Sequence, residues 1–480
     1  MVDIARNRSL KVLLIYPPRD YFITSGLPHL VEADIGFYKP LGLLYLAANV
    51  KARTNHEVQV IDAQVENLHV DDIENIIARE KPDVVGMTAL TLMLYDVYLT
   101  ALAVKRVHPA CLVVVGGPHV SIYPEETVRL PGVDVAVPDE GEISFIEILN
   151  CISNGNDLSR VPGVFFEKNG YIVNTGRRDV VGELDSLAFP DRRAVPYEKY
   201  FSLVDSDELS TTMITSRGCP SQCIFCDIPH KTYRDRSPEN IAAELEDIVS
   251  LGINEVYFYD DTFNLTRPRV IKMCREIIRR KIPVRFAFRG RVKPMDEEMI
   301  DLLREAGCKR IQYGVEAGND RILRILKKGV RVSDIQSAFG LTHRAGIETV
   351  AYFMVGSPGE RKEDIFDTIQ LAKDLGTAYA VFSITTPFPN TEMYDMGLRE
   401  GVLSHDYWLR HAQQPVEYMD PELWEKNLTR EEIYDLFNKA YREFYFRPNH
   451  ILRELMKVRS PVELGRKAFG ALKMARDVFV

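Results

Sequence analysis

The sequence predicts an α/β protein. A doubly wound parallel sheet comes first, then a partial barrel of six β/α units, then a mostly helical C-terminal region. Short, continuously apolar runs of strand length alternate with segments of helical spacing, the signature of parallel strands covered on both faces. This alternation occurs twice, and a polar, proline-rich stretch separates the two series. Composition is ordinary globular, with 46% hydrophobic and 27% charged residues over 480 positions.

In the first series, KVLLIYP (11–17), VQVIDA (58–63), DVVGMTA (83–89), LVVVGG (112–117) and VDVAVP (133–138) read as strands. PLGLLYLAANVKA (40–52), the stretch to Glu80, residues 95–107 and EISFIEILNCI (142–152) read as the helices between them. Residues 153–205 differ: EKNGYIV suggests a small hairpin and DSLAFPDRRAVP a linker. The second series has six strands: TTMITS (211–216), EVYFYDD (255–261), VRFAFRG (284–290), RIQYGVEAG (310–318), TVAYFMVGSPGE (349–360) and AVFSITTPFP (380–389). Six units are too few for a closed eight-unit barrel. The expected boundaries are 1–152, 153–205, 206–395 and 396–480.

A net charge of −9 argues against a general nucleic-acid footprint. No uncharged apolar run reaches about 18 residues, so no spanning helix is expected. The first residues, MVDIARNRSLKVLLIYPP, lack a signal-peptide apolar segment, and a cytoplasmic location is expected. Residues 447–480 are basic and amphipathic, with Arg447, Arg453, Lys457, Arg459, Arg466, Lys467, Lys473 and Arg476. Such a segment suits peripheral contact with an anionic membrane, or a solvated helix face. Trp424, Phe437, Tyr441, Phe444 and Tyr445 are expected to cover a core.

The strongest chemical signal is Cys219-Pro-Ser-Gln-Cys223-Ile-Phe-Cys226, directly after the strand TTMITS. Three thiolates at this spacing can hold three irons of a 4Fe–4S cube and leave the fourth open to a small ligand. The residues alone also leave open a zinc site completed by His230. Cys111, Cys151, Cys274 and Cys308 sit in apolar patterns and read as buried, inert thiols. Asp260, Asp261 and Glu316 end strands, where β/α barrels carry their sites. Carboxylates there can accept from an ammonium group or ribose hydroxyls. Arg289 and Arg291 can grip a carboxylate, and Gly356 and Gly359 allow close backbone approach.

The cysteine loop with its aromatic Phe225 resembles the radical S-adenosylmethionine superfamily. YFYDDTFN (257–264), RGR (289–291), YGVEAGND (313–320) with KKG (327–329), and FMVGSPGE (353–360) resemble that superfamily's later strand-end motifs in order. The resemblance implies a cluster on Cys219, Cys223 and Cys226, with S-adenosylmethionine near Phe225, Asp260, Asp261, Arg291, Glu316 and Gly356. It also implies cleavage of the sulfonium to a 5′-deoxyadenosyl radical.

YPPRD (16–20), PLGLLYLAA (40–48), GMTALT (86–91), GGPHVSIYPEE (116–126) and DEGE (139–142) resemble the cobalamin-binding domain of one branch of that superfamily. This implies cobalamin near Thr88, Gly116, Gly117, Pro118, Glu140 and Gly141. The sequence has no Asp-x-His-x-x-Gly segment, so cobalt is expected to bind without a protein histidine; His29 lies outside any such motif.

The branch implies methylation of an unactivated carbon in a small molecule, lipid, isoprenoid or tetrapyrrole among the options. Oxidative cyclisation or rearrangement, and a non-catalytic iron–sulfur or corrinoid sensor, are the alternatives. A reductant such as flavodoxin or ferredoxin is the implied partner.

Overall fold

The computed structural model describes residues 8–24, 39–200, 209–456 and scattered helical positions between 465 and 476. Lys457, Arg459, Arg466, Lys467 and Lys473 of the basic segment lie outside the described residues, as does His29. The chain forms two compact units.

The first unit is built on a seven-stranded sheet of order β2-β1-β3-β4-β5-β6-β7. Its parallel strands are β1 (Lys11–Tyr16), β2 (Glu57–Asp62), β3 (Val84–Thr88), β4 (Leu112–Gly116) and β5 (Val135–Val137). Along β1, Val12 and Leu14 face one core, while Leu13 and Ile15 face the other. Burial on both faces is why such a strand reads as an unbroken apolar run. Helices Leu41–Arg53 and Gly141–Ser153 cover the first face, through Leu43, Leu44, Phe145 and Leu149. Helices Val70–Glu80 and Leu94–Val107 cover the second, through Ile73, Ile77, Val97 and Val104. The strand order reverses between β1 and β3, so the loops after these strands border the crevice where open α/β sheets bind ligands.

The hairpin expected near 167–173 forms as β6 (Phe165–Lys168) and β7 (Tyr171–Asn174). Asn169 and Gly170 both have positive φ, as a two-residue turn of this hand requires. The hairpin is not a separate element of the linker: β6 pairs antiparallel with β5 and extends the first sheet. Residues 406–420 also differ from the sequence reading, which grouped them with the C-terminal helices. They pack within the first unit.

The second unit carries β8 (Ser210–Met213), a short antiparallel pair β9 (Ser216–Arg217) and β10 (Arg234–Asp235), β11 (Glu255–Phe258), β12 (Arg285–Gly290), β13 (Cys308–Glu316), β14 (Glu348–Val355) and β15 (Tyr379–Ile384). Its six-stranded parallel sheet has the order β15-β14-β13-β12-β11-β8, the sequential order of successive β/α units. Helix starts follow local chemistry. Ser237 accepts from Asn240 N ahead of Pro238, and Asp296 accepts from Met299 N.

One face of this sheet meets the helices. Tyr313 packs on Phe339 at 5.0 Å, and Phe258, Phe263 and Phe288 stack in series. On the other face, the hydroxyls of Tyr257 and Tyr352 both donate to Gln312 Oε1, at 2.6 and 2.7 Å.

The aromatic helix Arg430–Tyr445 covers a core, as expected, and it also closes the open edge of β15. Tyr441 Oη accepts from Phe382 N and donates to Phe382 O, and Tyr445 Oη does the same at Ala380. An unpaired strand edge is otherwise a pairing hazard. Tyr441→Phe leaves both Phe382 groups buried without these bonds and is expected to cost about 1–3 kcal/mol, read as a lower urea midpoint.

Candidate active site

The cysteine loop hangs between β9 and β10. Gly218 opens it at φ +85°, and a Cβ there would collide with Thr232 O, so only glycine fits. Gly218 N donates to Asp261 Oδ2 at 2.6 Å, and Cys219 N donates to His230 O at 3.1 Å. Ile224, almost fully buried, donates its N–H to Leu326 O and accepts from Met393 N. Arg291 braces the loop: Nη1 donates to Ser221 Oγ at 2.9 Å and Nη2 to Lys328 O at 2.6 Å. Asn264 fixes Arg291 in turn, through both its backbone N–H and its carbonyl.

Cys219 is buried, while Cys223 and Cys226 are half-buried. Thr262 Oγ1 lies 3.2 Å from Cys219 Sγ. Burial pushes the Cys219 thiol up, but hydrogen bonds from Ser221 and Thr262 and the nearby Arg291 cation outweigh it and hold the thiol below its ordinary value. Burial pushes Cys226 up to about 11.

The remaining cysteines behave as inert thiols. Burial pushes Cys111 and Cys274 up to about 12, raises Cys151, and raises Cys308 far above the ordinary range. Among the described residues no three His, Cys, Asp or Glu side chains converge on one ion position, the zinc arrangement with His230 included. A cube holds each thiolate on a different iron and does not call for that convergence. Three thiols on one loop, with the other four sealed in cores, fit such a cube.

The strand-end residues divide. Asp260 has a fully buried carboxylate. It accepts from Thr215 N at 2.6 Å, Thr215 Oγ1 at 2.5 Å and Ser216 Oγ at 2.7 Å, and Arg269 Nη2 stands 3.4 Å away. It straps the end of β11 to the segment that leads from β8 into the cysteine loop and presents no open face. Asp261 is exposed beside Gly218.

Glu316 sits at φ +70°, at a register shift between β13 and β14. Non-glycine residues seldom adopt that conformation outside functional or over-determined sites. Its carboxylate pairs with Lys328 Nζ at 2.6 Å, and Lys328 Nζ lies 6.0 Å from the Phe225 ring. Phe225, Arg291 and Glu316 are therefore joined around Lys328, a residue that the sequence marked only as part of KKG. Arg289 lies over the Tyr259 ring at 4.7 Å and the Tyr352 ring at 5.8 Å.

Gly356 stands apart from this group. A Cβ there would meet Ile433 at 3.2 Å, and one at Gly359 would meet Ile325 at 3.0 Å. Glu360, which the sequence reading missed at the end of its own motif, accepts from Gly356 N and Ser357 N on one oxygen. Burial pushes this carboxyl up to about 8.

In the first unit, Thr88 and Gly116 are register partners at the carboxyl ends of β3 and β4. Gly117 has φ +102°, and a Cβ there would lie 2.6 Å from Thr88 Oγ1, so the two loops touch. Pro118 opens the next short helix. Glu140 accepts from Val181 N at 2.7 Å, and Gly141 begins a helix at a point where an added Cβ would meet Leu46 at 3.7 Å. A cavity of about 200 Å³ beside Glu140 is lined by Pro138, Asp139, Phe165, Asn174 and Arg177. It is below the roughly 300–1,000 Å³ of ordinary ligand pockets. Gly117 gives its missing side chain to the contact with the β3 loop, and the joined loops form the carboxyl edge of the sheet, where open α/β sheets take large ligands.

His119 and His411 are buried near these loops and held neutral. Burial pushes His119 down to about 3, helped by His411, and pushes His411 down to about 4 against a smaller opposing effect of the Thr91 backbone. An unfolded histidine takes up its proton near pH 6.5. The folded-state values are depressed, so their contribution is complete above about pH 6.5 and is lost as pH falls toward 4. The chain has two tryptophans, and Trp408 belongs to the first unit. In a Trp424→Phe variant, Trp408 fluorescence is expected to report unfolding of this unit at lower urea at pH 5 than at pH 7. His119→Gln with His411→Gln should flatten that difference.

Residues 213–372 match the radical SAM superfamily model, and residues 33–149 match the B12 binding domain model. The chain is 33% identical over 453 residues to an uncharacterized methyltransferase of Pyrococcus horikoshii, covering 93% of this chain and 95% of that protein. It is 28% identical over 449 residues to the anaerobic magnesium-protoporphyrin IX monomethyl ester cyclase of Rubrivivax gelatinosus, covering 91% and 77%. Its fold is similar to the radical S-adenosylmethionine methyltransferase TsrM from Kitasatospora setae, solved with cobalamin and a 4Fe–4S cluster, with a TM-score of 0.66 at 22% identity over 82% of this chain and 75% of that one. The chain belongs to the radical S-adenosylmethionine superfamily, in the branch that carries a B12-binding domain ahead of its barrel.

Proposed function

We propose that this protein is a cobalamin-dependent radical S-adenosylmethionine methyltransferase acting on an unactivated carbon of a small molecule. The observation that carries the reading is a braced loop with three thiols and no fourth, in a chain that also folds a B12-binding unit. When bound, the cluster supplies the electron that cleaves S-adenosylmethionine, and the corrinoid supplies a transferable methyl group.

The chain's own residues hold and orient. Cys219, Cys223 and Cys226 would hold three irons of the cluster. Phe225, Asp261, Arg291, Glu316 and Gly356 are assigned to S-adenosylmethionine, with Lys328 fixing Glu316. Asp260 serves that site from behind. Thr88, Gly116, Gly117, Pro118, Glu140 and Gly141 are assigned to the corrinoid. A flavodoxin or ferredoxin is the proposed reductant.

The proposed location is cytoplasmic, with peripheral contact to an anionic membrane surface. Exposed Ile451, Leu452, Leu455 and Met456 support that contact. Among the described residues no helix is long and apolar enough to cross a membrane.

The test is anaerobic reconstitution with iron, sulfide and hydroxocobalamin, followed by dithionite and S-adenosylmethionine labelled in its methyl group. Formation of 5′-deoxyadenosine, and of a labelled product from a small-molecule extract, is expected. A colourless protein, or no 5′-deoxyadenosine, would overturn the reading. An unlabelled product alongside 5′-deoxyadenosine would assign cyclisation or rearrangement instead.

A further inference from the structure

Residues 406–420 are flanked in sequence on both sides by the second unit, yet they pack within the first. Helix Tyr407–Gln413 buries Tyr407, Trp408, His411 and Ala412, with Trp408 wholly enclosed. A buried tryptophan removes a large apolar area from water, which anchors a short segment firmly.

The segment reaches the loops at the carboxyl ends of three strands. Glu417 acts electrostatically on Tyr21, in the loop after β1. His411 Nδ1 accepts from Val416 N at 3.5 Å, and the Thr91 backbone, in the loop after β3, is near enough to act on the imidazole. Thr91 Oγ1 in turn lies 3.1 Å from Nδ1 of His119, which follows β4. His119 N donates to Ala89 O at 3.1 Å, closing the connection between the β3 and β4 loops. The loops after β1 and β3 flank the reversal of strand order, where this class of sheet takes its ligand, and the loop after β4 lies beside them.

Two polar atoms there lack a bond. Nε2 of His119 and Nε2 of His411 are both buried without a hydrogen-bond partner among the described residues. Leaving such atoms unsatisfied is costly, so a polar ligand edge that reaches them gains binding energy.

We propose that residues 406–420, anchored by Trp408, form part of the corrinoid site, with His411 offering Nε2 to the ligand beside the Thr91 loop. The proposal rests on the corrinoid reading above. It adds an element that neither the first 150 residues nor the glycine motifs contain. The amide-bearing rim of a corrinoid offers both donors and acceptors for the two imidazoles.

The test uses the full chain and hydroxocobalamin. Hydrogen exchange with mass spectrometry is measured with and without saturating ligand. Slower exchange is expected over 406–420 as well as over 86–92 and 116–123. His411→Ala is expected to weaken hydroxocobalamin binding by about tenfold, the order expected for loss of one buried hydrogen bond. His411→Gln should recover part of it. Unchanged Trp408 fluorescence, read in the Trp424→Phe background, confirms that the segment still docks. If hydroxocobalamin binds and exchange over 406–420 does not change, or if His411→Ala binds as the wild type does, the proposal is overturned. If the wild type takes up no hydroxocobalamin, the corrinoid reading itself fails, and this proposal with it.

Discussion

Alanine at Cys219, Cys223 and Cys226 is expected to yield a folded, colourless protein. It should retain neither iron nor sulfide, and its 5′-deoxyadenosine formation should fall to the level of a reaction without protein. The fold should survive because the loop is held by contacts that use no sulfur. Gly218 N bonds to Asp261, Cys219 N to His230 O, Ile224 is clamped by Leu326 and Met393, and Arg291 braces Ser221. Thr262 and Ser221 lose a partner in Cys219 Sγ, but the Thr262 hydroxyl also lies 2.7 Å from Asp261 O and Ser221 Oγ keeps its bond from Arg291.

This separates the loop from small zinc domains, whose folding depends on metal. Hydroxocobalamin uptake should persist in the triple variant. Cys274→Ala supplies the control: its thiol is sealed in the core, so the substitution should lower stability without removing iron. Wild-type 5′-deoxyadenosine yield from the triple variant would exclude the cluster reading.

The parts of this molecule that could be read from sequence are those written in local pattern. The six barrel strands are legible because strands buried on both faces must be apolar throughout, as FAF at 286–288 and YFMV at 352–355 are. Asn169-Gly170 announces its turn because two successive residues must take positive φ. The cysteine loop is legible because ligand spacing is itself the chemistry.

What stayed hidden depends on partners far along the chain. A carboxylate at a strand end looks the same whether it faces a ligand or a neighbouring hydroxyl, so Asp260 and Asp261 could not be told apart. Lys328 gains meaning only from Glu316, which is itself turned by a shift in register. The helix Tyr407–Gln413 has an apolar face that any neighbour could cover, and nothing in its seven residues names the first unit.

Asp260→Ala should therefore act on stability first and on ligand binding second. The substitution removes an acceptor shared by Thr215 N, Thr215 Oγ1 and Ser216 Oγ, and it leaves Arg269, a nearly buried cation, without its closest buried anion. Breaking a buried charge network of this kind costs about 3–5 kcal/mol. For a unit of this size each kcal/mol lowers the melting midpoint by roughly 2–4 °C, so a fall of about 10 °C is expected. Because Thr215 and Ser216 lead directly into the cysteine loop, iron retention should fall in parallel with the midpoint.

Asp261→Ala removes a bond at the surface and should melt within a few degrees of the wild type, while weakening S-adenosylmethionine binding. The two carboxylates are adjacent in sequence, yet they should separate in a thermal melt and a ligand titration. If Asp260→Ala melted as the wild type does and lost only S-adenosylmethionine affinity, Asp260 would be a ligand contact after all, and the strap described here would be wrong.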